Sequence, residues 1–421
     1  MLEEHKEHGD RSGNITTFHS NEFYPAIIDE DSGHIEDMSK KHGSNFLTKV
    51  QDSALRKIFW KGLSILPLHL AASYRRVKCM QSLLLTGADP EMRDHLGRST
   101  LHLVIMSWPN ILATRPKPDS KFQTTVNSAR RQAEACLQLL CQYGVNINAE
   151  MEGESHQTAL HLSVRYAALS AVHILASYGA DLNAVDSSGM TPLHMAAGIL
   201  HKGIITSLIR QGADINMGVK HSGNTPLHLA STAMAMKTTK TLDTSCISEL
   251  LEHGADPNTE NKAGMTPLQE VCIMGNEEMV DLLLRYGADI SKLSQAGESC
   301  LFLFLNHTPN VRNSSLLGKL LSLTSPLTIY NHKGHLPSTL TLACFFKQRD
   351  QLLKLIQQPR RLQDICKKDI YLKHIRGKIG EQSKMLPAKL YDFVFNCWNN
   401  THISFVADIE QDSINNILGM T

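Results

Sequence analysis

Little in this sequence points to a reactive centre or to a membrane. No stretch approaches the roughly 20 apolar residues that span a bilayer, and the opening residues MLEEHKEH lack the apolar run of a signal peptide. Charge is close to balanced, at +1, so composition gives no reason to expect nucleic acid or an anionic surface as partner. The nine cysteines are an odd number, scattered and never paired as C-x-x-C, which argues against a disulfide scaffold. Most stand among apolar helical residues, as buried thiols do. G-x-S-x-G, a phosphate-binding loop and H-E-x-x-H are all absent. These absences lead us to expect a soluble, intracellular protein (cytoplasmic or nuclear) with no catalytic residue, no cofactor, no metal and no membrane association.

What is present is a phrase. Thr191 can cap a helix, Pro192 suits the first helical position, and Leu193, Ala196 and Ala197 form a narrow apolar stripe. After a second apolar run, Gly212 supplies the left-handed residue that ends a helix. The phrase recurs: Leu160-His161, Leu193-His194 and Leu227-His228 are 33 and 34 residues apart, and Gly254 and Gly287 are 33 apart. From Leu68 to Gly87, Leu160 to Gly179, Leu193 to Gly212 and Leu268 to Gly287 the distance is always 19 residues.

A period of 33 carrying T-P-L-H-x-A resembles the ankyrin repeat. The resemblance implies an all-α solenoid of about seven or eight stacked helix pairs joined by hairpin turns. Residues 1–18 read as a flexible tail and 19–62 as a degenerate capping repeat, with Phe23, Tyr24, Ile27 and Ile28 on one helix and Ile35 and Met38 on a second ending near Gly43. Repeats fill 63–358. Leu101 to Gly144 takes 43 residues and Leu227 to Gly254 takes 27, so inserts of 24 and 8 residues lie near 108–133 and 232–245. Pro109, Pro116 and Pro118 make the first half of the longer insert a loop. In the sixth repeat Gln269 stands where histidine is usual.

From Lys347 to Lys389 twelve Lys and Arg face four Asp and Glu, a net +8. Leu362, Cys366 and Ile370 fall at i, i+4 and i+8 on one helical stripe, and Leu386-Pro387 introduce Leu390, Phe393 and Val394. The segment 359–398 resembles a SOCS box. The resemblance implies that Leu362, Cys366 and Ile370 meet elongin B/C and that Leu386, Pro387 and Leu390 meet a cullin. Arg361 and Lys384-Met385 depart from the pattern. Residues 399–421 read as a tail. The basic segment leaves nucleic-acid binding as an alternative, but its well-placed apolar positions favour a protein-docking helix.

Function is then expected from surface. The recurring histidines His69, His102, His161, His194 and His228 are about one repeat apart, too far to share a metal whose ligands lie about 2.0–2.1 Å from its centre. They are expected to bond turns instead. Residues just before the cap vary while their neighbours repeat: Arg98, Gln157, Met190, Asn224, Met265 and Glu298. They are expected to face solvent and meet a protein partner on the concave face, or to be ordinary turn residues. Asn148, Asn183 and Asn216 resemble ankyrin asparagines hydroxylated by an oxygenase, though turn geometry alone accounts for them.

Overall fold

A computed structural model describes residues 17–18, 23–49, 64–109, 121–237, 243–324, 327–358, 362–376, 389, 392, 394, 403 and 405. Two units divide the chain, the first holding 1–192 with 210–213 and the second 193–209 with 214–421.

In the first unit the helix pairs are α1 (Phe23–Ile28) with α2 (Ser32–His42), α3 (Pro67–Ser73) with α4 (Val77–Leu85), α5 (Thr100–Met106) with α6 (Lys121–Gln142), and α7 (Ala159–Arg165) with α8 (Leu169–Ser177). First helices pack on first helices (α1 on α3, α3 on α5, α5 on α7) and second helices on second helices. Among the described residues the strands are β1 (Thr17–Phe18), β2 (Leu47–Lys49) and β3 (Ser64–Ile65), with β2 parallel to β1 and antiparallel to β3. This small sheet has no signature in the periodicity. The longer insert is helical in its second half: the residues from 121 onward extend α6 at its amino-terminal end, and from Gln123 onward the first buried side chain is Ala133. Residues 110–120 lie outside the described set.

In the second unit α9 (Pro192–Gly198) pairs with α10 (Lys202–Arg210), α11 (Pro226–Ala235) with α12 (Ser245–Glu252), α13 (Pro267–Met274) with α14 (Glu277–Arg285), and α15 (Cys300–Asn306) with α16 (Ser314–Leu323). Then come α17 (Phe346–Gln357) and α18 (Leu362–Arg376). The periodic leucines turn inward: Leu193, Leu208, Leu227, Leu250, Leu268 and Leu283 are fully buried. Neighbouring hairpins are tied tip to tip, Lys262 N–H donating to Ser222 O, Gln295 N–H to Ala263 O and His332 N–H to Ala296 O, all at 2.9–3.0 Å. Gly264 permits this approach. Its φ is +68°, and a Cβ there would lie 2.6 Å from the Gln295 nitrogen.

The repeated histidine joins each cap to the next repeat. Backbone N–H groups of Ser99, Thr158 and Thr225 donate to Nδ1 of His102, His161 and His228 at 3.1–3.3 Å. A backbone N–H can only donate, so Nδ1 is bare and Nε2 carries the hydrogen. Nε2 donates to the carbonyls of Ala149, Met190 and Met265 at 3.0–3.1 Å. Gln269 performs the same task without an ionisable ring: its Oε1 accepts from Thr266 N–H at 2.8 Å, and its Nε2 donates to the carbonyls of Lys292 and Glu298. The cap of α3 is Leu66, which offers no hydroxyl, and at the third helical position His69 Nδ1 is left without a partner.

Two measurements follow from this packing. Leu193→Ala and Leu208→Ala are each expected to lower stability by about 2–5 kcal/mol, as buried large-to-small changes do, read as a fall in the urea midpoint of the full chain. Burial pushes His69 and His102 down from 6.5 to about 4, while the unfolded chain takes up these protons near 6.5. Stability is therefore full above about pH 6.5 and falls as pH drops towards 4, by on the order of 3 kcal/mol for each ring. His102→Gln, built on the precedent of Gln269, is expected to flatten part of that acid loss in melting curves taken between pH 7 and pH 4.

Candidate functional site

The six positions before the caps are less open than the sequence suggests. Arg98 and Gln157 are buried, and Met190, Asn224, Met265 and Glu298 are half-buried. The reason is backbone work. The Asp94, Asp186 and Asn261 side chains accept the N–H groups of Arg98, Met190 and Met265 at 2.9–3.0 Å. The carbonyls of Met190, Asn224 and Met265 accept from His161, His194 and His228. The chain is thus gripped at both polar groups whatever the side chain, and so the residue type can vary. Arg98 turns back to Asp94, Nε to Oδ2 at 2.7 Å. The D/N-x-x-G spacing of Asp94–Gly97, Asp186–Gly189 and Asn261–Gly264 is the sequence signal for this clamp.

The asparagines of the returning turns are rungs between repeats. Asn148 and Asn216 accept the N–H groups of Asp181 and Asp256 at 2.8 and 2.9 Å, and Asn45 and Asn258 accept those of Asp89 and Asp289. Asn183 occupies the same turn position, with its own N–H donating to Asp181.

Open surface lies instead on the first helices of the second unit. Met195, Gly198 and Ile199 follow the i, i+3, i+4 spacing of one helical stripe, as do Ile273 and Met274 with Glu270, and Leu229, Thr232, Ala233 and Met236 extend it to i+7. All ten are half-buried or exposed. Ile199, Met236 and Met274 are 53%, 61% and 38% exposed, so large apolar side chains face solvent on three consecutive repeats. In the first unit Leu70, Leu103 and Leu162, at the positions of Met195, Leu229 and Glu270, are buried. Within the stripe, Glu270 Oε2 accepts from Thr232 Oγ1 at 2.8 Å and Oε1 from Asn261 Nδ2 at 3.0 Å. Burial pushes its carboxyl above the ordinary range.

The C-terminal helix is docked by charge. Lys319 of α16 is 4% exposed and its Nζ meets Glu277 Oε1 and both Asp281 oxygens, each at 2.8 Å. The Tyr371 hydroxyl of α18 donates to the same Asp281 at 2.8 Å, and Arg376 Nη2 donates to Ala288 O. Burial and the Asp281 carboxylate push the Tyr371 phenol well up. Lys367, Tyr371 and Ile375 form the packed face, against α14 and α16. On the adjoining face Ile365 and Cys366 are exposed and Ile370 is half-buried, while Leu362 opens the helix. Leu386, Pro387 and Leu390 lie outside the described residues. Val394 is fully buried, and in the stretch read as a tail Ile403 and Phe405 are also buried, Phe405 meeting Phe345 edge-on at 5.2 Å.

Among the described residues no group of three or more His, Cys, Asp or Glu could hold a metal, and no helix is long and apolar enough to cross a membrane. Burial pushes the thiols of Cys79 and Cys141 up to about 11 and that of Cys136 to about 12, away from nucleophilic use.

Ankyrin-repeat family models match residues 66–95 (ankyrin repeat), 164–209 (ankyrin repeats, many copies) and 232–296 (ankyrin repeats, three copies). Among curated proteins, neurogenic locus notch homolog protein 1 of Danio rerio is 33% identical over 38% of this chain and 6% of its own length. Ankyrin repeat and SOCS box protein 16 of Homo sapiens is 26% identical over 49% of this chain and 52% of its own length. The B-cell lymphoma 3 protein homolog of Mus musculus is 28% identical over 52% and 49%. The chain thus spans about half, or much less, of the length of these relatives. The crystal structure of the ankyrin repeat domain of Bcl-3 is 23% identical, with a TM-score of 0.47, over 57% of this chain and 93% of that one. The 33-residue period, the helix pairs stacked like on like and the matched segments make this chain an ankyrin-repeat protein.

Proposed function

We propose that this chain recognises a protein through its repeats and hands it to a cullin–RING ubiquitin ligase through its C-terminal helices. The observation that carries the reading is the orientation of α18. Its packed face uses Lys367, Tyr371 and Ile375 and leaves Cys366 open and Ile370 half open, so these two positions of the elongin-like stripe are not consumed by the fold. The half-length similarity to ankyrin repeat and SOCS box protein 16 supports the same reading. Leu362, Cys366 and Ile370 are then the elongin contacts, and Leu386, Pro387 and Leu390 the cullin contacts. The protein partner lies on the repeats, at the half-open Met190, Asn224, Met265 and Glu298 and at Arg98 and Gln157, whose buried side chains hold the turns.

A second reading has its own support. Because Tyr371 and Ile375 are buried against α14 and α16, α18 can serve simply as a cap that shields the last repeats of a plain scaffold.

Co-expression of the full chain with elongins B and C separates the two. Ligase delivery expects a stable ternary complex on size exclusion that Leu362→Ala and Cys366→Ala each abolish without changing the melting temperature; no retained elongin leaves the scaffold. In both readings Tyr371→Phe removes a hydrogen bond to the half-buried Asp281 carboxylate and is expected to cost about 1.5–3 kcal/mol, seen as earlier thermal unfolding.

A further inference from the structure

Two packed first helices of the second unit, α11 and α13, hold large apolar side chains in water, with one carboxylate among them. Thr232 and Ala233 are small, so the stripe is hollowed between Leu229 on α11, Met236 at its end, and Ile273 and Met274 on α13. Glu270 stands in this hollow, half-buried. Its two hydrogen bonds come from neutral groups, Thr232 Oγ1 and Asn261 Nδ2. Asn261 Nδ2 is in turn 2.9 Å from Asn224 Oδ1. Among the described residues no Lys, Arg or His comes within 4.0 Å of the Glu270 oxygens.

We propose that this trough takes an apolar segment of the partner protein that carries an arginine or lysine, whose cation pairs with Glu270. The inference rests on the reading of the repeats as a protein-recognition surface and names the chemistry recognised. The positive end of α13 offsets part of the carboxylate's charge, but a helix start does not require the side chain to lie across Thr232 of α11 and Asn261 of the hairpin. That arrangement fixes the carboxylate in place before any partner arrives. A half-buried charge held only by neutral donors gains more from a counter-ion than an exposed one, because water screens the pair less there. A guanidinium brings two parallel donors to the carboxylate and lays its flat face on neighbouring apolar groups, which the methionines adapt to. An anionic segment at the same place meets repulsion, so the site selects by charge as well as by shape.

The test pans a random twelve-residue peptide library, displayed on phage, against the immobilised full chain and titrates the enriched peptides as fluorescent conjugates. Enriched peptides are expected to carry Arg or Lys beside large apolar residues. Glu270→Gln, which keeps the shape, is expected to weaken them about tenfold or more. Replacing the peptide's basic residue by norleucine should do the same, and the two changes together should cost no more than either alone. Enriched peptides without a basic residue, or affinities that Glu270→Gln leaves unchanged, overturn the pairing. If Met236→Asp still abolishes their binding, the trough remains a recognition surface and only the ionic pairing is lost. If nothing is enriched, or if Met236→Asp is without effect, the recognition role of this face is lost with it.

Discussion

At the start of every first helix the capping residue's own N–H lies outside the helical ladder, and in the following repeat the carbonyl before the next cap lies outside it too. Left buried and unpaired, each such group costs on the order of 1–3 kcal/mol. On α7, α11 and α13 one side chain at the third helical position answers both. The His161 and His228 rings take the N–H on Nδ1 and give Nε2–H to that carbonyl, and the His102 ring takes its cap's N–H and gives Nε2–H to Ala149 O earlier in the connecting turn. The amide of Gln269 does so with oxygen and nitrogen in the corresponding places. The bond runs from one repeat to the next, so local helix capping and repeat stacking are a single interaction. It also requires a neutral ring, and burial enforces that state.

This constraint decides where recognition can occur. Positions just before the caps have both backbone groups engaged, which frees their side chains to vary yet keeps them half-buried or buried. Variation there marks indifference to side chain more than access to solvent. The open apolar side chains stand on the first helices, three and four residues apart, where no backbone group needs them. A partner binding there meets a surface whose spacing is set by the histidine bonds behind it.

The C-terminal helix obeys a different rule. Lys319 is almost fully buried, and removing its charge from water is offset by Glu277 and both oxygens of Asp281. Asp281 still has room for the Tyr371 hydroxyl. The helix is therefore held by this polar cluster, by Lys367 and Ile375, and by Arg376 on Ala288 O, while Ile365 and Cys366 stay exposed.

The paired helices of the repeats, the capping residues and the glycine ends of helices were legible in the amino-acid order, because each depends on neighbours within about 20 residues. Leu193, Leu227 and Leu268 could be placed in the core for the same reason. Gln269 was visible as a departure, though not as an equivalent donor–acceptor. The short sheet of β1, β2 and β3 escaped notice, since strands of two or three residues carry no period. Tertiary structure alone decided that Arg98 and Gln157 are buried, that Glu270 lies in an apolar hollow across from Thr232, and that Lys319, Asp281 and Tyr371 meet. Asp281 and Tyr371 are 90 residues apart. No local pattern encodes such meetings, because burial and charge pairing arise only when helices far apart in the chain are packed together.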